Sequence, residues 1–256
     1  MHRFFISSEQ IKGNEVFFPS DLAHQMTRVL RLREADRVVV LDNRGVEYEV
    51  GLHTLTKRSV QGTICETRAV DTEPRTHLTL YMALLKGKKL DWVLQKGTEL
   101  GVSRFVPFLS HRSVVGSLKS LGKTKVERWR RIVREAAEQS HRGRLPEVLP
   151  PQSFEAALDQ ARASGALSLI AWEVAGGKSL KQALNREQPS HSTPPRRINL
   201  FIGPEGGFQE EEIITAQKHR VLPITLGSRI LRAETAALAA TTAVLYELGE
   251  WERKKP

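Results

Sequence analysis

From His77 to the end of the chain, short apolar runs alternate with segments of helical period, and this alternation limits the possible folds more than any other feature. Strand-like runs occur at Leu78–Leu84, Arg104–Leu109, Leu167–Trp172, Ile198–Ile202 and Val221–Leu226. Between and after them lie helical patterns at Leu90–Leu100 (with Gly101 as a stop), Val126–Gln139, Phe154–Ala163, Glu210–His219 and Ala233–Leu248. Strands that alternate with helices imply a mostly parallel sheet covered on both faces. Residues 185–197 are polar and contain Pro189, Pro194 and Pro195, a composition expected of a mobile loop.

The preceding residues follow another rule. Apolar runs at Phe4–Ile6 and Val16–Phe18 come before a helical pattern that Ser20 or Asp21 can cap and that extends to Leu32. Leu22, Met26, Val29 and Leu30 would share its buried face. Three strand-like runs follow at Arg37–Leu41, Val46–Leu52 and Val60–Thr67, with Asn43, Arg44 and Gly45 turning between the first two. Short strands at this spacing predict a small β-barrel. A polar, proline-containing joint at Asp71–Pro74 places the boundary there, giving domains 1–72 and 73–256.

Charge separates the two parts. Residues 1–72 carry ten basic and ten acidic side chains, whereas residues 75–145 carry sixteen basic and five acidic. The net +10 of the chain is therefore concentrated in one stretch. A local, arginine-rich excess attracts polyanions by counterion release, which favours nucleic acid over a merely soluble surface. The single cysteine, Cys65, rules out an internal disulfide and a multi-cysteine zinc site. Its place in a strand-like run predicts a buried, inert thiol. No apolar run is long enough to span a membrane, and the start of the chain is too short in apolar residues for a signal peptide. A cytoplasmic protein is expected, with no membrane partner.

Two segments carry candidate chemistry. In Leu200–Phe208, a strand runs into Gly203-Pro204-Glu205-Gly206-Gly207 before an acidic helix. In Leu226–Ala236, a strand ends at Gly227 and a helix begins a few residues later. Ligands of open α/β sheets sit at the carboxyl ends of strands, and glycines there allow close backbone approach. One glycine would suffice for a tight turn; three around a Pro-Glu pair favour a binding site. Arg232 stands near a helix start, where a cation opposes the helix field, and a local rule broken in this way hints at function. Other ligand motifs fail. There is no G-x-G-x-x-G, H-E-x-x-H or G-x-S-x-G, and Gly177-Lys178-Ser179 lacks the earlier glycine of a P-loop. The eight histidines have no metal spacing, so no metal is expected.

Gly203–Gly207 followed by Leu231-Arg232-Ala233-Glu234-Thr235-Ala236 resembles the RsmE family. These are bacterial small-subunit ribosomal RNA uridine-N3 methyltransferases of the SPOUT class. Supporting pieces occur in order: His24 with Arg28 to Arg31; Gln95, Lys96 and Thr98 to Val102; and Glu138, Gln139, Ser140 and Arg142. The resemblance spans nearly the whole chain. It implies a PUA-like β-barrel, then a SPOUT-type parallel sheet closed by a deep trefoil knot, a homodimer, and S-adenosylmethionine as methyl donor. It also implies a donor site made of Glu173, Leu200, Ile202, Gly203, Gly207, Leu222, Leu226, Gly227, Ile230, Leu231, Thr235 and Ala236. The implied substrate is 16S ribosomal RNA or the small ribosomal subunit. Departures from the family are Gly97 for a frequent Ala, Gln209 where Ser would cap better, and His141 for a frequent Gly.

Uridine N3 is a poor nucleophile until it loses its proton, so a base or a nearby cation must favour the anion. Arg232 is expected to orient the base or phosphate and to stabilise that negative charge. Glu205 is expected either to shape the site or to take the proton. RNA contacts are expected from Arg3, His24, Arg28, Arg31, Lys86, Lys88, Arg112 and Arg142. Three other readings are weighed on sequence alone: a non-enzymatic RNA-binding assembly protein, a nucleotide-binding enzyme acting on a small molecule (which leaves the basic stretch unexplained), and a methyltransferase acting on another RNA position.

Overall fold

The structure is a computed structural model that describes residues 1–56, 59–114, 118, 122–173, 178–186 and 197–252. Most of the stretch expected to be a mobile loop, residues 187–196, lies outside the described residues, as does Gly177. The chain divides into two units: Met1–Glu73 with Ala137–Leu145, and Pro74–Ala136 with Pro146–Pro256.

The first unit is built on β1 (Arg3–Phe5), β2 (Ile11–Lys12), β3 (Glu15–Phe18), α1 (Ser20–His24), β4 (Arg37–Leu41), β5 (Val46–Leu55) and β6 (Val60–Ala69). Its six-stranded sheet has the order β1-β4-β5-β6-β3-β2. Only β1 and β4 pair in parallel among these strands. Asn43 and Gly45 make the β4–β5 turn in left-handed backbone, with φ of 63° and 88°. Register shifts at Glu49/Val50 and Leu52/Thr54 bend the long β5–β6 pair. A Cβ on Gly62 would lie 2.6 Å from Val50 Cγ1, so only glycine lets the two strands approach there. The inner faces bury Phe4, Val16, Met26, Val38, Val40, Val50 and Val60.

Three expectations change here. The helix begins at Ser20 behind Pro19, which makes no side-chain cap, so neither Ser20 nor Asp21 caps it. Beyond His24 the chain winds as a π-helix over Gln25–Val29, closed by Leu30 N donating to Gln25 O at 3.0 Å. The wider turn shifts the buried stripe. Leu22 and Met26 face the core, but Val29 is 67% exposed. Cys65 is also exposed, because β6 is solvent-facing from Cys65 to Ala69, where it runs past the core.

Ala137–Leu145 joins this unit through contacts distant in sequence. Ala137 and Leu145 pack with Phe5, Leu41 and Val70. Glu73 Oε1 accepts from Arg142 Nε (3.2 Å), Gly143 N (3.0 Å) and Arg144 N (3.2 Å), and Oε2 accepts from Arg142 Nη2 at 2.6 Å. A Cβ on Gly143 would lie 2.6 Å from Val70 Cβ, so this loop seats only because it has no side chain there.

The second unit contains β7 (His77–Ala83), α2 (Lys89–Leu100), β8 (Arg104–Leu109), most of α3 (Lys123–Gln139), β9 (Glu147–Val148), β10 (Gln152–Ser153), α4 (Phe154–Ala163), β11 (Leu167–Ala171), β12 (Lys178–Ser179), α5 (Leu180–Arg186), β13 (Arg197–Ile202), α6 (Glu210–Lys218), β14 (Leu222–Thr225) and α7 (Ala233–Glu247). Every strand pair is parallel, in the order β10-β8-β7-β13-β11-β14-β12, with β9 beside β8. The two-residue strands and α5 are absent from the sequence reading, being too short for a periodic signal. The Tyr81 ring stacks on Phe201 at 4.2 Å, and Phe108, Phe154 and Phe208 extend this aromatic core. Gly101, at φ 110°, stops α2 as expected. Gly97 has its own reason: a Cβ there would lie 2.9 Å from Cε1 of Phe105, whose side chain is buried. Among the described residues no helix is long and apolar enough to cross a membrane.

Candidate active site

In the sheet, β11 lies between β13 and β14, so three neighbouring carboxyl ends open on one side. Each feeds a loop into the same cleft. Ala171, Trp172 and Glu173 come from β11; Ile202 to Phe208 from β13; Thr225, Leu226, Gly227, Arg229, Ile230 and Leu231 from β14; Ala233 and Ala236 from α7. The cleft has a volume of about 190 Å³.

The first glycine loop is shaped by its anchor. Phe208 is buried and stacks near-parallel on Phe108 with centroids 6.2 Å apart. This draws the loop back on itself, and a Cβ on Gly203 would meet Phe208 Cε2 at 3.0 Å. Gly207 takes φ +68°, and its Cβ would lie 2.9 Å from Glu173 Oε1. Arg112 Nη1 donates to Gly206 O at 2.9 Å. Gln209 stands at the N-cap of α6, where the Glu212 carboxylate does the tying: Oε2 accepts from Gln209 N at 2.9 Å. Glu212 Oε1 accepts from Ser110 Oγ at 2.8 Å and His111 N at 3.0 Å, fixing the loop after β8 to this helix start.

The second turn is held differently. Gly227 takes φ +108° with nothing within 4 Å of a built Cβ, so the backbone demands glycine while the space above stays open. Thr225 Oγ1 both accepts from Gly227 N and donates to Gly227 O, each at 3.2 Å. Ile230 is 85% exposed at the cleft. Arg232 is the N-cap of α7; its carbonyl accepts from Ala236 N at 2.8 Å. Its side chain is exposed and forms no ion pair among the described residues.

Glu205 lines the cleft, yet its carboxylate is occupied. Oε1 accepts from Lys86 N at 3.2 Å and from Lys89 Nζ at 3.0 Å. Burial pushes this carboxyl up, but the Lys89 bond and the backbone amides of Glu205 and Lys86 outweigh it and hold the group below its usual range. An anion stabilised in this way is a weak base, which favours the shaping role over proton removal.

Nine of the twelve expected donor-site residues line the cleft: Glu173, Ile202, Gly203, Gly207, Leu226, Gly227, Ile230, Leu231 and Ala236. Three do not. Leu200 is fully buried in β13, paired between Leu80 and Leu169. Leu222 opens β14 at the end away from the cleft. Thr235 is exposed, one step around α7 from Ala236. Trp172 and Arg229 are additional lining residues. The carboxyl end of β11 carries no glycine motif, so only its position between β13 and β14 marks it.

The expected RNA contacts divide in the same way. Arg3 pairs with Glu47 and its side chain is only 10% exposed. Arg142 is 5% exposed and bound to Glu73. Each guanidinium is paired inside the first unit. His24, Arg28 and Arg31 are exposed on α1 and the turns after it. Lys86, Lys88 and Arg112 are exposed in the second unit, with Lys86 and Arg112 also bonded to the Gly203–Gly207 loop. Among the described residues no cluster of side chains could hold a metal.

Comparison with known proteins gives consistent results. A family model for an RNA methyltransferase domain matches residues 72–245, and one for an RNA methyltransferase PUA domain matches residues 19–65. The chain is 34% identical to ribosomal RNA small subunit methyltransferase E of Bacillus subtilis (strain 168), covering 96% of this chain and 97% of that protein. It is 35% identical to the protein of the same name from Synechocystis sp., covering 95% and 78% respectively. Among solved structures, ribosomal RNA small subunit methyltransferase E from Neisseria gonorrhoeae, bound to S-adenosyl methionine, superposes with a TM-score of 0.81. That pair is 31% identical over 96% of this chain and 97% of the other.

Proposed function

The chain belongs to the ribosomal RNA small subunit methyltransferase E family, and on that premise we propose that it methylates N3 of a specific uridine in 16S ribosomal RNA with S-adenosylmethionine as the donor. The observation that carries this reading is the meeting of three strand ends at one cleft, two of them through glycines in left-handed backbone, where a side chain is strained. The residues fit the donor. Gly207 and Gly227 hold backbone conformations that leave main chain facing the cleft, while Ile202, Leu226 and Leu231 give it apolar walls. Glu173 places a carboxylate in its lining, which suits a positively charged ligand. When bound, S-adenosylmethionine supplies a methyl group carried on a sulfonium.

The chain's own residues then orient and polarise. Arg232 is exposed beside this cleft, and its guanidinium is assigned to the uracil carbonyl oxygens, where it stabilises the charge left when N3 loses its proton. Glu205 keeps its loop in shape and is assigned no proton. His24, Arg28, Arg31, Lys86, Lys88 and Arg112 are assigned to phosphate contacts that set register without reading sequence. The same reading takes residues 1–72 as the RNA-docking domain and 73–256 as the knotted catalytic domain. It takes the active form as a homodimer and its place of work as the cytoplasm. The test is mass spectrometry of 16S ribosomal RNA nucleosides from cells with and without the gene. Loss of N3-methyluridine on deletion and its return with the wild-type gene are expected; an unchanged nucleoside profile overturns the proposal.

A further inference from the structure

Lys89, the first residue of α2, lies between the loop after β13 and the start of α7 without lining the cleft. Its Nζ sits 3.0 Å from Glu205 Oε1, on the loop after β13, and 3.9 Å from Glu234 Oε2, in the first turn of α7. No other side-chain cation among the described residues pairs with either carboxylate. Glu234 Oε2 is buried and has no hydrogen-bond partner among the described residues, so the nearby ammonium is what compensates it. The arrangement is further fixed by Lys86 N, which bonds the same Glu205 oxygen at 3.2 Å from the loop just ahead of α2. The Gly203–Gly207 loop and the first turn of α7 are thus joined through one ammonium on a third element.

We propose that Lys89 is a positioning residue that holds the Gly203–Gly207 loop and the start of α7 in the register that binds the methyl donor. This inference rests on the donor reading above. Lys89 touches no reacting atom; it acts through Glu205 and Glu234. Without the ammonium, two carboxylates near one point would repel each other, one of them with a buried and uncompensated oxygen. The loop and the start of α7 would then separate, and the cost would fall on donor affinity rather than on global stability, because Lys89 is 39% exposed and lies outside the packed core.

The test is titration calorimetry of the full-length protein with S-adenosylmethionine, with thermal melting run in parallel. The wild type establishes that the donor binds; if it gives no saturable heat, the donor reading itself fails. Given that binding, Lys89→Met should weaken affinity about tenfold, equivalent to the loss of one partly screened charge-assisted contact. Lys89→Arg should recover most of that affinity. In a double-mutant cycle, Lys89→Met and Glu205→Gln should be strongly non-additive. Folding of each variant is read from its melt. Wild-type affinity in a folded Lys89→Met protein, or a loss fully additive with Glu205→Gln, overturns the proposal.

Discussion

Gly227 shows why single residues decide this cleft. Its φ of +108° is a conformation that a side chain opposes, although a built Cβ meets nothing within 4 Å. Gly227→Val is therefore a test of backbone alone. It should weaken donor binding by about tenfold or more, since strain of roughly 1–3 kcal/mol per misplaced residue would be relieved by moving the turn. A titration against S-adenosylmethionine reads this directly. Arg232→Ala should behave in the opposite way, with turnover falling by about a hundredfold or more and donor affinity largely kept; a methyl-transfer assay on ribosomal RNA with unchanged turnover would remove Arg232 from the mechanism. Glu205 sets a pH dependence. Its carboxyl titrates below the usual range in the folded protein, so its bonds to Lys86 and Lys89 are at full strength above that range. They are lost only as pH falls through the depressed value. Donor affinity in the wild type should hold from neutrality down past the ordinary carboxylate range and then decline, while Glu205→Gln should show a smaller acid-limb decline. At this scale the glycines were legible because positive φ and close approach leave a mark in composition. The pairing of Arg3 with Glu47 and of Arg142 with Glu73 was not, because an arginine in a sequence does not announce a partner 44 or 69 residues away.

Elements show where periodicity informs and where it misleads. The long strands and helices of the second unit agree with the sequence pattern to within a few residues, since each buries a repeating apolar face. The α1 region does not, because a π-helical turn at Gln25–Val29 shifts the stripe and leaves Val29 in solvent. Within α2, Gly97 illustrates a local rule overruled by packing. Replacement by alanine should gain up to about 1 kcal/mol of helix propensity. It would also press a methyl group against the buried Phe105 ring at 2.9 Å, and overpacking costs typically 1–3 kcal/mol. The second effect wins. Gly97→Ala should lower the denaturation midpoint, and adding Phe105→Leu should restore part of the loss. A more stable single variant would show that the ring moves aside freely.

For the whole molecule, the segregation of charge is the property most easily measured. The excess over residues 75–145 is expected to make RNA binding fall steeply with salt, in a log–log plot whose slope counts the phosphates neutralised. A flat plot would argue against this stretch as the RNA-facing surface. Linear sequence described the order of events along the chain well, with a strand-rich beginning and an α/β remainder. It could not show that Ala137–Leu145 returns to the first unit, because that return depends on Glu73, Asn43 and Val70 meeting backbone and side chains far along the chain.

That return also sets a timetable for synthesis. A chain emerging amino end first completes β1 to β6 early, but Phe5, Leu41 and Val70 lack part of their covering until residue 145 has been made. Through that interval, while residues 70–145 are translated, the nascent amino-terminal unit stays unfinished and exposes an apolar seam to other chains. Its last strip of packing arrives only after β7 and β8 have left the exit tunnel.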